Sequence, residues 1–252
     1  VVVESGDEIS DMRSRLRAHH CHGCEEREAH ARWSERYFRA ERQIGELDRR
    51  IAARTHSIAR QFDRVCETLT ELGYLAGTAD NLRVTDQGRM LSELYSESDL
   101  LIAECLRAGV WSGLAPHELA SVVAAIVYES RRSEGDVGPA VPGGAVEAAL
   151  AGVHRIWARL SDVERAHRLN PEPEPDAGLV WAVYRWARGA SLLTVLTSND
   201  VSAGDFVRWT RQVIDVLEQI SQAAADPQVT VAAREAIDAL DRGVVSFQPT
   251  AP

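Results

Sequence analysis

Between Ser202 and Ala224 the chain carries polar side chains whose spacing places them along one side of a helix. Steps of three and four residues align two guanidiniums, three amides and one carboxylate: Arg208, Arg211, Gln212, Asp215, Gln219 and Gln222. Apolar residues fall on the opposite side: Phe206, Val213, Leu217, Ile220 and Ala224. Such a row of donors and acceptors is suited to contact with a polar polymer such as a nucleic-acid backbone. Simple solvent exposure of a charged helix face is the competing interpretation.

A second candidate contact lies in the segment Leu179–Ala187, which is rich in tryptophan. Trp186 is flanked by Arg185 and Arg188, so the ring could stack on a base while the guanidiniums reach phosphate oxygens. Tryptophans at helical spacing beside aliphatic residues usually belong to the core. We assign three others to the core on that ground and retain Trp186 as a contact; the three are Trp157, Trp181 and Trp209.

The stretch HHCHGC at 19–24 contains the only Cys-x-x-Cys pair of the sequence, together with three histidines. Structural zinc sites use four nitrogen or sulfur ligands and usually draw them from two such pairs. The sequence therefore predicts a turn without a metal, and the alternative ligand set is Cys21 and Cys24 with His19 and His22. The two remaining cysteines, Cys66 and Cys105, lie in apolar helical patterns and are expected to be buried thiols.

Composition limits the functions that the chain can perform. The net charge of −10 argues against a free-standing nucleic-acid binder, because phosphate contacts usually come from a basic surface. All 28 basic residues are arginine, so a phosphate-loop or Schiff-base lysine is excluded, and no nucleotide-binding or hydrolase motif occurs. We therefore expect no catalytic residue and no cofactor in this chain. It also shows no membrane-spanning run and no secretory leader, which predicts a cytoplasmic protein without a membrane partner.

A heptad pattern precedes these candidate sites and predicts a long helix. Apolar residues recur at alternating steps of four and three from Trp33 to Leu72, with a polar interruption at Thr55. A continuous helix over this range would be about 60 Å long. Such a seam requires a facing helix, and none precedes it in the sequence. We predict that the partner helix lies upstream, and a homodimeric coiled coil is the alternative.

The long helix is followed by signals for a hairpin and then for several shorter helices. Gly73 is expected to end the helix, and Thr85 to cap the next one, on either side of two short strands at 74–75 and 82–84. This order of helix, hairpin and helix is typical of the end of a winged helix. Further helices are expected from Ser98, from Pro116, and at 146–168, 179–187, 191–197, 202–224 and 229–243. A turn at Asn199-Asp200 precedes the helix that begins after Ser202.

Four blocks together resemble one family. They are RQFDRVCETLTELGYL (60–75), RVTDQGRMLSELYSESDLLIAECLRAGVWSGLAPHELASVVAAIVYESRR (83–132), LVWAVYRWARGASLLTVLTSNDVSAGDFVRWTRQVIDVLEQI (179–220) and IDALDRGVVSF (237–247). Their order and spacing are similar to the C-terminal region of superfamily 2 DExH-box RNA helicases of the superkiller and exosome-assisting type. This region is known as the DSHCT domain, and the likeness is greatest to actinobacterial HelY-like members.

The resemblance implies a mainly α fold made of a long stalk helix, a partial winged helix with a short β-hairpin, and an all-α helical bundle. Residues 1–26 would be the end of an arch and the base of its stalk, and 27–56 the returning stalk helix. Residues 57–97 would complete the winged helix, and 98–252 would form the DSHCT bundle. Two ATPase domains, which bind ATP and magnesium, would lie upstream in the same polypeptide.

The resemblance also implies a function for the helix at 202–224, as the counterpart of the ratchet helix that lies against the translocating strand. Single-stranded RNA is the expected partner, with DNA left open, and the contacting residues would be Arg208, Arg211, Gln212, Asp215 and Gln219. Many relatives carry arginine and glutamate where this chain has Gln212 and Asp215, so those two contacts would differ in kind.

Two other functions compete with this one. A self-contained helix-turn-helix DNA-binding regulator would use 191–197 and 202–224, but the acidic Asp205 stands where a recognition helix usually meets the major groove. A non-catalytic scaffold that binds a protein through its stalk is the second alternative.

Overall fold

The computed structural model describes residues 6–78, 81–130, 139–197 and 201–247. The predicted turn at Asn199-Asp200 lies outside these ranges. Within them the chain forms ten α-helices and a single two-stranded hairpin, which confirms the mainly α fold. The chain divides into two compact units, residues 1–61 and 62–252, and each is described by itself.

The first unit contains α1 (Gly6–Ala18), a short 3-10 turn (His20–Gly23) and most of α2 (Arg27–Glu71). The long helix predicted from the heptad pattern is confirmed, and it continues past residue 56, the limit that the resemblance gave for the stalk. Seam residues of α2 are largely exposed, with 66% for Trp33 and 61% for Ile51. Within the described part of this unit, the apolar seam is therefore uncovered.

The end of α2 is formed as the sequence predicts. Gly73 adopts a positive φ of +83°, and the Tyr74 N–H donates to the Leu69 carbonyl at 2.8 Å, a hydrogen bond typical of a glycine-terminated helix. Two short antiparallel strands follow, β1 (Leu75–Ala76) and β2 (Arg83–Val84).

The hairpin is held to the start of α3 (Asp86–Leu91) by Thr85. Its hydroxyl lies 2.8 Å from the Gly73 carbonyl and 3.0 Å from the Tyr74 carbonyl, and its oxygen accepts the Gly88 N–H at 3.1 Å. A Cβ at Gly88 would lie 2.3 Å from the Tyr74 carbonyl oxygen, so only glycine fits this close approach. The predicted N-cap at Thr85 is confirmed.

Seven helices form the bundle: α4 (Asp99–Ala108), α5 (Pro116–Val127), α6 (Ala145–Ala166), α7 (Val180–Ala187), α8 (Leu192–Thr197), α9 (Ala203–Ala223) and α10 (Pro227–Leu240). Pro116 begins α5 as predicted, and the Glu118 carboxylate accepts the Ala115 N–H at 2.8 Å. Helix α5 packs against α6, α7, α9 and α10. Leu119 and the following residues to Ala125 are completely buried, as expected for the central helix of a bundle.

A buried carboxylate joins the end of α2 to the bundle. Glu104 on α4 is only 4% exposed. It accepts hydrogen bonds from the Tyr74 hydroxyl at 2.7 Å and from Arg107 at 2.5 Å, and its second oxygen pairs with Arg159 on α6. Burial, together with the nearby carboxylate, raises the pKa of Tyr74, so the phenol remains protonated and donates. This cluster fixes the hairpin region against α4 and α6.

Candidate nucleic-acid interface

Helix α9 is oriented by its two ends and by its apolar side. The Ser202 hydroxyl accepts the Asp205 N–H at 3.1 Å and donates to the Asp205 carboxylate at 2.8 Å, so Ser202 is the N-cap of α9. Three apolar residues, Phe206, Val213 and Leu217, are fully buried where α9 packs against α5 and α10. Because this side is fixed in the core, the polar side must face outward.

The polar side forms a continuous surface that we call the α9 ridge, defined by Arg208, Gln212, Asp215, Gln219 and Gln222. Four of these residues are exposed, and Gln219 is half-buried. The Gln219 side-chain oxygen accepts the backbone N–H of Tyr95 at 2.6 Å. Gln219 thus holds the loop that precedes α4 against the ridge, and its amide nitrogen is the part left to meet a ligand.

A cleft of about 430 Å³ runs beside the ridge. Its walls come from the loop at 95–98, the end of α5 and the ridge itself, and it includes Tyr95, Glu97, Glu129, Trp209, Gln212 and Asp215. Three of these residues are carboxylates, so the cleft repels phosphate, whereas its oxygens and amides can accept or donate hydrogen bonds to bases and hydroxyls. Tyr95, Glu97 and Glu129 could not be assigned to this site from the sequence, because nothing in local spacing links them to α9. Trp209 was expected in the core, and it lines the cleft instead.

Arg208 is the cation of the ridge, and its partners are weak. Its guanidinium lies 3.5 Å from the Asp205 carboxylate, and both side chains are more than half exposed, so this ion pair contributes little to stability. The guanidinium carbon also lies 4.4 Å from the centroid of the Trp209 ring. Stacking on Trp209 orients the arginine, and a phosphate could replace Asp205 as its partner.

Arg211 was predicted as a second contact, but its guanidinium is already engaged. The side chain is half-buried, and it donates to the carbonyls of Val245 at 3.0 Å and Phe247 at 2.6 Å. Both acceptors belong to the segment that follows α10. The arginine therefore fastens this segment to α9, and we exclude it from the ridge.

Trp186 does not fit the predicted role of a base-stacking residue, because it lies in the core at 3% exposure. Its indole N–H donates to the Leu240 carbonyl at 2.9 Å, and the Arg242 guanidinium lies 3.6 Å from the ring centroid. Phe206 packs edge-on against the same ring. No ring face remains for a base.

The two arginines that flank Trp186 lie on α7 and at its end, next to aromatic rings. The guanidinium of Arg185 is 5.1 Å from the Trp181 ring centroid, and that of Arg188 is 5.6 Å from the Tyr184 ring centroid. These pairs are local to α7. They remain candidate phosphate contacts, separate from the α9 ridge.

The predicted turn at 19–24 is present, and the structure changes the grouping of its possible ligands. The ring nitrogens of His19 and His20 and the thiol of Cys21 lie within 4.8 Å of one another. Cys24 lies instead beside His30, with 3.6 Å between its sulfur and Nδ1. The histidines next to the two thiols are therefore His19, His20 and His30, whereas the ligand set considered from the sequence contained His19 and His22.

None of the helices in the described ranges is both long enough and apolar enough to cross a membrane.

Comparison with known proteins gives one consistent result. A profile of the DSHCT (NUC185) domain matches residues 81–248. "Probable helicase HelY" of Mycobacterium tuberculosis is 45% identical over 249 residues, which cover 95% of this chain and 28% of that protein. HelY of Mycobacterium leprae is 43% identical over 95% of this chain and 27% of that protein. "Superkiller complex protein 2" of Homo sapiens is 28% identical over 65% of this chain and 13% of that protein. The chain thus spans little more than a quarter of the length of the HelY relatives.

Proposed function

The chain belongs to the DSHCT family, as the C-terminal region of a HelY-like helicase, and from this premise we propose that it guides single-stranded RNA along the α9 ridge. ATPase domains upstream in the same polypeptide would bind ATP and magnesium and drive the strand forward. The observation that carries the proposal is the α9 ridge, whose polar side chains face outward from a helix with a fully buried opposite side.

The charge of the ridge suits a guide better than an anchor. Arg208 supplies one site for a phosphate, while Asp215 and the acidic cleft disfavour others. The amides of Gln212 and Gln222 offer neutral hydrogen bonds that suit bases and ribose hydroxyls. A surface of this kind holds a strand weakly, so the strand can step past it. Most of the affinity would then come from phosphate contacts in the ATPase domains, because the chain itself carries a net charge of −10.

The exposed seam of α2 is the second feature that the proposal explains. Residues 27–56 would be the returning helix of a stalk, and the seam would pack against an outgoing helix from the preceding part of the polypeptide. In the chain alone, this surface should promote self-association. A chain that sediments as a monomer at all concentrations would contradict the proposal that the seam of α2 packs against another helix.

The first turn of α9 argues against a helix-turn-helix regulator. The N-cap residue Ser202 and the carboxylate of Asp205 occupy the N-terminal end of α9. A recognition helix would approach the phosphates and bases of duplex DNA with this end. A helix that presents a carboxylate there would be repelled. Duplex DNA therefore serves as the comparison ligand in the test.

The test compares two variants of the full-length helicase. Arg208→Ala with Gln212→Ala removes two contacts of the ridge, and Arg234→Ala removes an exposed arginine from α10 as a matched control. We expect the ridge variant to unwind more slowly with little change in ATP hydrolysis. Its affinity for single-stranded RNA should fall, with a salt dependence reduced by about 0.7 for the one lost phosphate contact.

The control should behave like the wild type, and affinity for duplex DNA should change little. Parallel measurements with single-stranded DNA decide whether the guide distinguishes the two polymers. Wild-type unwinding by the ridge variant would overturn the proposal, as would an equal loss in both variants.

A further inference from the structure

The turn between α1 and α2 carries nitrogen and sulfur ligands in two neighbouring groups, one of His19, His20 and Cys21 and one of Cys24 and His30. We propose that Cys21, Cys24 and His30, with one ring of the His19-His20 pair, form a tetrahedral site for Zn²⁺ or a similar thiophilic divalent ion. Such a site is separate from the α9 ridge and does not depend on the proposed function.

The backbone of the turn links Cys21 and Cys24 through a short 3-10 helix. His20–Gly23 is a 3-10 helix, Cys24 is its C-cap, and the Cys24 N–H points to the Cys21 carbonyl at 3.5 Å. In a 3-10 helix, side chains three residues apart are eclipsed. The Cys-x-x-Cys spacing therefore directs the side chains of Cys21 and Cys24 to the same side of the turn. The Cys24 thiol lies outside the group of Cys21, His19 and His20 within 4.8 Å, so binding of one ion by all four ligands requires rotation of side chains.

The separation of Cys24 and His30 matches that of two ligands on one zinc ion. Zn–S and Zn–N bonds of about 2.3 and 2.0 Å at a tetrahedral angle place sulfur and nitrogen about 3.5 Å apart. The Cys24 sulfur and His30 Nδ1 lie 3.6 Å apart. The backbone of His30 is held in the first turn of α2, where its N–H donates to the Glu26 carbonyl at 3.0 Å.

The other ring nitrogen of His30 has the neighbour that a metal-bound histidine usually has. Nε2 lies 3.6 Å from the Glu26 carboxylate. Histidines that bind a metal commonly direct their second nitrogen toward a carboxylate, which fixes the tautomer and strengthens the ligand. The two nitrogens of His30 thus have different neighbours: Nε2 faces the Glu26 carboxylate, and Nδ1 faces the Cys24 sulfur, where a metal ion would bind.

The fourth ligand comes from the N-terminal side of the turn. His19 is the N-cap of the 3-10 helix, and its Nδ1 accepts the Cys21 N–H at 3.3 Å. The His20 ring stacks on the His19 ring with 4.4 Å between centroids. Both rings offer a nitrogen within 4.8 Å of the Cys21 sulfur, so either ring is a candidate for the fourth ligand.

The turn also lacks the buried apolar groups that would otherwise fix it. From residue 9 to residue 51, every residue is exposed except for three half-buried positions at Cys24, Ala29 and Gly45. Small structural units without a core are commonly stabilised by a metal ion, whose binding free energy then contributes to folding. A metal at this site would fix the path of the chain from α1 into α2.

The test is a cobalt titration of the reduced, metal-free chain under anaerobic conditions, followed by displacement with zinc. We expect one Co²⁺ per chain, with visible d–d absorption of a tetrahedral site and near-ultraviolet absorption from two thiolates. Cys21→Ser and Cys24→Ser should each remove most of the thiolate absorption. Glu26→Gln, which changes no ligand, should weaken binding by about tenfold or more. Cys66→Ser, near the C-terminal end of α2, is the matched thiol control and should bind like the wild type.

Circular dichroism of each variant separates loss of ligands from loss of folding. The double variant His19→Ala with His20→Ala should weaken binding, and the two single variants identify the ring that binds. The proposal is overturned if the reduced chain binds no cobalt, or if it binds cobalt without thiolate absorption. It is also overturned if the ligand variants and the Cys66 control bind equally.

Discussion

Glu104 provides the most direct test of how the bundle is held to the end of α2. The change Glu104→Gln keeps the shape of the side chain and removes its charge. It leaves an acceptor for the Tyr74 hydroxyl, but it takes the ionic partner away from Arg107 and Arg159 and turns an N–H toward one of them. The side chain of Glu104 is 5% exposed, so solvent cannot replace the lost carboxylate.

The expected cost follows from the exposure of each partner. Arg159 is 60% exposed, so its share is that of a surface ion pair, below about 1 kcal/mol. Arg107 is 32% exposed and also donates to the Leu72 carbonyl, so loss of its charged partner should cost about 2–3 kcal/mol. Together these changes predict a loss of about 2–4 kcal/mol in the free energy of unfolding. For a unit of this size that corresponds to a fall in Tm of about 4–16 °C.

Thermal unfolding of the chain, monitored by circular dichroism at constant pH, measures this change. Glu93→Gln alters an exposed carboxylate and should stay within about 0.5 kcal/mol of the wild type. Tyr74→Phe removes a single hydroxyl and should cost about 1 kcal/mol. A Tm for Glu104→Gln equal to that of the Glu93 control would refute the view that this buried cluster holds the hairpin region against α4 and α6.

Three further expectations concern stability. Burial and then Glu164 raise the pKa of Glu172 to about 7, so the ionised form of this carboxylate destabilises the fold. Glu172→Gln should therefore raise Tm at about pH 8, and the gain should vanish as the pH falls toward the pKa of an unfolded glutamate. The exposed Glu174→Gln should give no such gain. Arg211→Ala should cost about 1–3 kcal/mol through its two lost carbonyl contacts, while Arg208→Ala should stay within about 0.5 kcal/mol, and equal Tm values would contradict the distinction between them. A hydrogen bond to Glu71 on α2 raises the pKa of His167. This pair therefore stabilises the fold fully below the unfolded pKa of about 6.5, and the stabilisation is lost as the pH rises through the pKa of His167 in the folded state. A His167→Asn variant whose deficit in Tm is the same at every pH would contradict this expectation.

Much of the fold could be predicted from the sequence because its signals are local. The periodicity of α9 gave its buried and exposed sides, and single residues gave the ends of elements, as with Gly73, Thr85 and Pro116. These signals act within a few positions of the residue concerned: a glycine that accepts positive φ, a hydroxyl that caps a helix, a proline that needs no N–H partner.

The site was harder to predict because distant residues decide which polar groups remain available. Arg211 lies at the edge of the polar side of α9, and its acceptors are 34 and 36 positions along the chain. Trp186 has the flanking arginines of a nucleic-acid contact, but Leu240 and Arg242 enclose it. Helical spacing shows which side a residue occupies, and it does not show what covers that side.

The most direct test of the central claim is site-specific photo-crosslinking in the full-length helicase. Gln212→p-benzoylphenylalanine places a photoreactive group in the middle of the α9 ridge, and Glu235→p-benzoylphenylalanine places one at an exposed position on α10. After irradiation with labelled single-stranded RNA and a non-hydrolysable ATP analogue, we expect crosslinked RNA from the Gln212 position and little from the Glu235 position. Equal labelling of both positions, or none at Gln212 while the protein still binds RNA, would contradict the role of α9 as the guide.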